Sequence, residues 1–514
     1  MKNIPSLFKH LAFPVCLLLA PAACTNLEED LYDRVTPDTF FKTEKDFAAA
    51  IGGAYTQLYL LGSHGGYFSV QEISSDEIAV PIRGSDWGND EWYRAHRHEM
   101  MPYDPGVNSA WNNLYAGVLS CNRLIYQFEQ LKKEDSGVPV NLDAYIAEIR
   151  ALRALFYYFL LDSFGNIPIV TNFTDDNYIA STIPRAQVFD FVEQELTAVL
   201  PLLNKTVDAT TYGKMNYYAA KALQAKLYLN AGVYTGTPRL DDCLAACDEI
   251  INAGHFALEG QYHDNFRTNN QGSSEFIFAV PFDENFAKGF NLHMMTLHYA
   301  SQATYNLQQQ PWNGYCSLQE FYDMHEDADV RKKNFIAGPQ FAADGVTPLL
   351  DQAAEPDDPD GPQVNHTPEI NTINTGALRQ AGVRIGKYEF KSGATPDLDN
   401  DMPVFRYADI LLTKAEALWR KDNNSTQALD LVNQVRNRAF EPDQPFTTLT
   451  AENLLAERGR EMFYEGVRRQ DQIRFGVYGN PTEFMPGSAP CKELWPIPST
   501  QFLFGVNLQQ NPCY

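Results

Sequence analysis

Glu461 and Glu465 lie four residues apart on one face of a helical run, a spacing that a glycosidase acid/base pair could use. Arg458, Arg468, Arg469 and Arg474 flank them, and nearby positive charge lowers carboxylate pKa values where a general acid needs a raised one. The residues therefore predict an ion-pair network that locks the last helices. Other catalytic templates fail too. GxSxG is absent, Pro102 takes the place of the second histidine after His98-Glu99, and Gly386-Lys387 lacks the spacing and the Ser/Thr of a phosphate loop. Asp397-Leu-Asp-Asn-Asp401 opens like a calcium loop, but Met402 stands where glycine is required and Ala408 where the bidentate glutamate belongs. A surface turn and no cofactor are expected there, with an irregular structural calcium site as the alternative.

The elements that must position such groups are mostly helical. Apolar residues recur at helical spacing over Lys45–Leu61, Ser109–Gln130, Glu148–Ser163, Ala186–Leu203, Lys214–Ala231 and Leu240–Ala253, and again over Phe405–Lys421, Thr426–Phe440 and Ala451–Phe475. Tyr157 and Tyr158 sit on the strongest of these stripes and read as packing. Between the two series, residues 256–402 turn to Gly, Asn, Gln, Pro and Asp with short β-like runs such as Glu275–Val280, and carry the acidic turn Glu355–Gly361. Long irregular stretches in compact proteins tend to carry function. Helix pairs interrupted by one long insert fit an α-solenoid with a loop-built face, though period alone supports only a repeat-like reading.

Composition bounds the partners. The 514 residues carry 40 Lys+Arg against 65 Asp+Glu, a net charge of −25, and no dense basic run, which argues against nucleic acid. Residues 1–23 combine Lys2, Lys9, a ten-residue apolar run and Pro21-Ala22-Ala23 before Cys24, which reads as a secretory signal peptide too short to span a bilayer. Small residues before Cys24 resemble the lipobox of bacterial lipoproteins, making Cys24 the expected lipidation site; ordinary cleavage near Ala23 is the alternative. Glu28-Glu29-Asp30 resembles the export signal of surface-exposed lipoproteins. Among the later cysteines, Cys243 and Cys247 read as packed thiols on a helix face, and Cys491 and Cys513 could pair in the tail.

Seven segments in order then carry a resemblance. They are Trp111-Asn-Asn-Leu-Tyr115 with Asn122-Arg123, Glu148–Ala154 with Phe164-Gly-Asn-Ile-Pro168, Ala225–Tyr234, Phe405–Leu412 with Ala415-Glu-Ala417, Val435–Ala439, Glu461–Arg468 with Asp471 and Arg474, and Pro496-Ile-Pro498 with Gln510–Tyr514. Together they resemble the SusD/RagB family of outer-membrane glycan-binding lipoproteins. The resemblance implies a mainly α fold, a right-handed tetratricopeptide-like superhelix of four helix pairs with a large irregular ligand-binding insert. It implies the division 1–23 signal peptide, 24–43 tether, 44–255 first helical part, 256–402 insert, 403–476 last helical part and 477–514 C-terminal strap.

It also implies a non-enzymatic lid that captures an oligo- or polysaccharide and passes it to a SusC-like TonB-dependent transporter, lipid-anchored in the outer membrane and facing outward. Non-catalytic sugar binding needs flat apolar faces edged by hydrogen-bonding side chains. The loop Ser75–Trp87 resembles the family's early loop and nominates Trp87 with Asp76 and Asp86; Trp92 ranks lower. Gln308–Cys316 matches a loop in which members place binding aromatics and nominates Trp312 and Tyr315, with Cys316 below them. Arg384 is the candidate for a hydroxyl or carboxylate, a structural ion pair being its other reading. Peptide capture by the same architecture, a glycoside hydrolase, and a lid that binds no ligand are the competing functions.

Overall fold

The computed structural model describes residues 41–134, 137–174, 179–352, 362–504 and 507–514. The signal peptide, Cys24, most of the tether and the acidic turn Glu355–Gly361 lie outside the described residues.

The long helices are α1 (Glu44–Tyr55), α2 (Pro105–Lys133), α3 (Leu142–Ser163), α4 (Arg185–Val199), α5 (Tyr217–Leu229), α6 (Leu240–Ala253), α7 (Tyr407–Lys421), α8 (Thr426–Ala439) and α9 (Ala451–Met462), followed by the short α10 (Arg468–Arg474). They pack as neighbours in the series α2/α3, α3/α4, α5/α6 and α7/α8. α6 also packs on α7, so the irregular insert leaves and re-enters the helical stack at adjacent helices. The mainly α, insert-bearing architecture is the one expected.

Several ends differ from the sequence reading. α2 starts earlier because Pro105, with no N–H to leave unpaired, can occupy its first turn. The predicted Ala451–Phe475 helix is two helices. Tyr464 and Gly466 take positive φ angles of 61° and 72°, and their amides leave the helix to donate to Glu77 Oε2 at 3.0 Å and Glu72 Oε1 at 2.5 Å. Two short helices, Tyr67–Ile73 and Glu91–His96, carry no periodic signal long enough to read.

Strands are short and antiparallel. β1 (Ile78–Ala79) pairs with β3 (Cys316–Ser317), and β2 (Phe276–Val280) pairs with β6 (Met402–Arg406), closing the base of the insert. β4 (Phe335–Ile336) pairs with β5 (Arg384–Ile385).

One hydrophobic core runs from α1 to Ile497, and a second joins α7, α8 and α9 through Leu411, Leu412, Val432, Val435 and Leu454. The residues of the resemblance act as struts between helices. Arg153 of α3 reaches Asn122 of α2 at 2.7 Å and Glu195 of α4 at 2.5 Å. Arg474 pairs with Glu416 at 2.7 Å, and Arg458 with Asp471 at 2.7 Å and Asp409 at 3.0 Å. The tail is an ordered strap: Trp495 is fully buried, Asn511 donates to the carbonyls of Phe164 and Trp495, and a disulfide joins Cys491 to Cys513. Tyr157 and Tyr158 are buried as expected, as are Cys243 and Cys247.

Candidate functional site

The paired carboxylates lie in the middle of a closed ionic network. Arg406 contacts Glu461 at 2.6 Å, Glu465 at 2.8 Å and Glu275 at 3.2 Å; Arg438 pairs with Glu275 and Glu461; Arg331 reaches Glu457 at 2.7 Å and Glu461 at 3.2 Å; and Lys387 reaches Glu465 at 2.5 Å. The network was expected, but its cations were not. Arg468, Arg469 and Arg474 pair instead with Asp76, Asp162 and Glu416, because the chain turns away at Tyr464–Gly466, and Arg458, on α9 itself, pairs with Asp409 and Asp471. Burial alone would raise the Glu461 carboxyl, yet Arg438, Arg406 and Arg331 outweigh it and hold the group well below its ordinary value. Such a carboxyl stays ionised and cannot serve as a general acid near neutral pH.

The aromatic loops meet elsewhere. Arg83 and Asp86 close a tight turn through reciprocal backbone bonds of 3.2 and 3.0 Å, with Gly84 at φ 63°. A Cβ on Gly84 would sit 3.2 Å from the Arg379 guanidinium, so the turn needs glycine on both counts. Trp87 follows at φ 61°, half-buried, and its indole N–H donates to the Trp312 carbonyl at 3.0 Å. Trp312 is half-buried as well, with its ring 4.6 Å from that of His64. The two tryptophans nominated by the sequence are thus neighbours.

Behind them the loops are held by arginines bound to carbonyls. Arg83, fully buried, donates to the carbonyls of Asn313 at 3.0 Å, Gly314 at 2.8 Å and Ala381 at 3.0 Å. Arg384, also fully buried, donates to Asn313 Oδ1 at 2.8 Å and to the carbonyls of Arg379 and Ala381 at 3.0 and 3.1 Å. Gly314 allows the loop to lie on Met295, whose Cε would be 2.4 Å from a Cβ placed there.

Five nominated residues are corrected by this arrangement. Tyr315 is fully buried and hydrogen-bonded to Ser69, and burial pushes its phenol well above the ordinary value, so it packs beneath the tryptophan loops. Cys316 belongs to β3 and is buried against Ala79. Arg384 is a strut inside the loop. Asp76 is engaged by Arg468 at 2.7 and 2.9 Å. Trp92 is buried against Gly106.

Asp86 keeps its place at the site, where it accepts from the hydroxyl of half-buried Tyr299. Burial, and then the bond to Asp86, push that phenol up to about 12, so it stays a donor. The Arg379 guanidinium lies 5.9 Å from the Tyr299 ring centre and pairs with Asp351 at 3.3 Å. His64, whose pKa burial lowers, is held by Asn291 at 3.0 Å as a neutral ring edging Trp312. Sequence reasoning missed His64, Tyr299 and Arg379, which reach the site from three separate stretches with no shared motif. The arrangement offers two indoles, a phenol, an imidazole, a carboxylate and a guanidinium: faces for stacking and a mixed rim of donors and acceptors.

The calcium-like loop is engaged by the chain itself. Asp397 accepts from the Gly289 amide at 2.9 Å, Asp399 from the Glu284 amide at 2.8 Å and from Lys391 at 2.7 Å, and Asp401 from the Phe282 amide at 3.1 Å and from Tyr212. Among the described residues no three His, Cys, Asp or Glu side chains group to hold a metal ion.

Comparison with known proteins places this architecture. The model of the SusD family matches residues 360–485, and a model described as "Starch-binding associating with outer membrane" matches residues 33–229. The chain is 26% identical over 416 residues to the starch-binding protein SusD of Bacteroides thetaiotaomicron, covering 72% of each protein. It is 22% identical over 503 residues to SusD-like protein P25 of Formosa agariphila, covering 90% of this chain and 89% of that one. Among solved structures it shares its fold with a laminarin-binding SusD-like protein (TM-score 0.73, 22% identity, 92% and 100% covered) and with surface glycan-binding protein A of B. thetaiotaomicron in complex with laminarihexaose (TM-score 0.72, 20% identity, 91% and 100% covered). With matches on both sides of the insert, and with the motif residues serving as its interhelical struts, the chain belongs to the SusD family.

Proposed function

We propose that the protein captures an oligo- or polysaccharide by stacking it on Trp87 and Trp312, without transforming it, and delivers it to a SusC-like TonB-dependent outer-membrane transporter. The observation that carries this reading is the Trp87 N–H bond to the Trp312 carbonyl, which ties two half-exposed indoles 225 residues apart into one surface. Indole faces meet the C–H faces of sugar rings, while Asp86, Tyr299, Arg379 and His64 edge them with hydroxyl partners. Relatives named for binding starch, laminarin and laminarihexaose support a glycan as the ligand. The reading needs no cofactor. It places the protein on the outer face of the outer membrane, anchored through Cys24, in keeping with the outer-membrane association in the name of the matching family model.

Calorimetry of the chain from Thr25, which keeps every described residue, against neutral polysaccharides and mixed peptides tests it. One glycan should bind, and Trp87→Ala or Trp312→Ala should abolish the heat while the circular dichroism is kept. Peptide binding instead, or sugar binding indifferent to both substitutions, overturns the platform.

A further inference from the structure

A second cavity lies away from the tryptophans, where α1 and the turn after it face the start of α3 and the loops 203–216 and 279–287. It measures about 270 Å³, adjoins another of about 250 Å³, and the two share Tyr145, Glu148 and Lys214 as walls. Neither has a lining residue in common with the Trp87–Trp312 surface. Tyr55, Tyr59 and Tyr212 complete an aromatic lining among aliphatic side chains. Phe286, beside the lining residue Ala287, is 93% exposed, an apolar ring held out in solvent at the edge of the cavity.

The polar groups here are not consumed by the fold. Tyr55 donates to one Glu148 oxygen at 2.9 Å and accepts from the Met215 amide at 2.7 Å. Among the described residues the other Glu148 oxygen and the Tyr59 and Tyr145 hydroxyls have no hydrogen-bond partner. Lys214 is exposed and acts on Glu148 through its charge without a direct ion pair.

We propose that these chambers form a second carbohydrate site, taking a neutral mono- or disaccharide. Pockets of about 300–1,000 Å³ hold drug-sized ligands, so two joined chambers at the lower end of that range suit one or two sugar rings. Tyrosine faces supply stacking; Glu148 accepts from a hydroxyl, and Lys214 and the free phenols donate. The carboxylate and the ammonium cancel, which favours a neutral polyol over a uronate. This site does not depend on the tryptophan platform, and the test separates the two.

Glucose, galactose, mannose, xylose, maltose and cellobiose are titrated by saturation-transfer NMR and calorimetry into the chain, its Trp87→Ala/Trp312→Ala double variant, Tyr145→Ala and Glu148→Gln. At least one sugar should bind the chain and the double variant equally, and Tyr145→Ala should weaken it about tenfold or more. Tyr145→Phe, which keeps the ring and the packing, should lose only severalfold. Absence of binding by all six sugars overturns the second site. So does binding that vanishes in the double variant and survives Tyr145→Ala; that result assigns the sugar to the tryptophans. Loss of polysaccharide binding in the double variant with the small-sugar signal intact supports both sites.

Discussion

Buried arginines organise both halves of this protein, and they do so in two ways. In the helical frame Arg406, Arg438 and Arg458, joined by Arg331 from the insert, are matched to carboxylates on neighbouring elements. Under the tryptophan loops Arg83 makes no ion pair among the described residues and is bound to three carbonyls, while Arg384 takes an amide oxygen and carbonyls. Carboxylate partners fix which helix lies beside which. Carbonyl partners fix the path of a loop whatever its side chains, leaving those free for the proposed ligand. The contrast separates a frame specified by side-chain identity from a site specified by backbone shape.

Removing a cation from the frame should have the largest effect. Arg406→Ala strands Glu461, Glu465 and Glu275 without one of their shared cations inside the core, and should lower the unfolding free energy by about 3–5 kcal/mol in chemical denaturation. A loss below about 1 kcal/mol would mean that the network is replaceable and the contrast false.

The seam between the halves comes next. Glu72 and Glu77 are buried together, each taking an amide from the break between α9 and α10; burial, opposed in part by a hydrogen bond with Glu77 and by the Gly466 amide, raises Glu72 to about 7, and burial with the charge of Glu72 raises Glu77 well above its ordinary value. A raised folded-state pKa contributes stability that is full below the ordinary value of 4.5 and lost as pH rises through about 7. The melting temperature should fall over that window by the equivalent of about 2–3 kcal/mol, and Glu77→Gln should flatten the slope. An unchanged slope in the variant would dismiss the pair as its source.

On the loop side, Arg83→Met should cost about 1–2 kcal/mol of stability while weakening glycan binding more than its stability loss would suggest, since three loop carbonyls lose their common donor. Equal binding by the variant would show that the path of the loop does not rest on that clasp. Trp312→Ala should give the smallest stability change, below about 1 kcal/mol for a half-buried ring, together with complete loss of binding. Loss of the fold in this variant would move Trp312 from the site to the frame.

The same contrast explains what was legible. Helix periodicity and the strut residues are written in side chains, so the helical series, the insert and the burial of Tyr157 and Tyr158 could be read directly. Trp87 and Trp312 were legible as indoles in polar, glycine-bearing loops. Tyr315 was not distinguishable from Trp312 because the decision lies in the backbone: the Met295 carbonyl takes the amides of both Gly314 and Tyr315, and β3 starts at the next residue, turning Tyr315 into the core. Arg384 failed for the same reason, its partners being mostly carbonyls. The cations of Glu461 are not legible because proximity in the chain is not proximity in space: the bend at Tyr464 and Gly466 carries Arg468, Arg469 and Arg474 away, and Arg331, Arg406 and Arg438 arrive from distant segments.

The packing of α6 on α7 has an evolutionary side. The β2–β6 pair and these two helices bring both ends of the insert together, while Arg331 and Lys387 tie its middle to α9 and to the bend after it. Closing a flexible connection twice as long costs only about 0.6 kcal/mol more. Exposed loops of the insert away from those ties can therefore change in length or sequence at small thermodynamic cost in descendants of this chain, while the ion-paired frame is inherited unchanged.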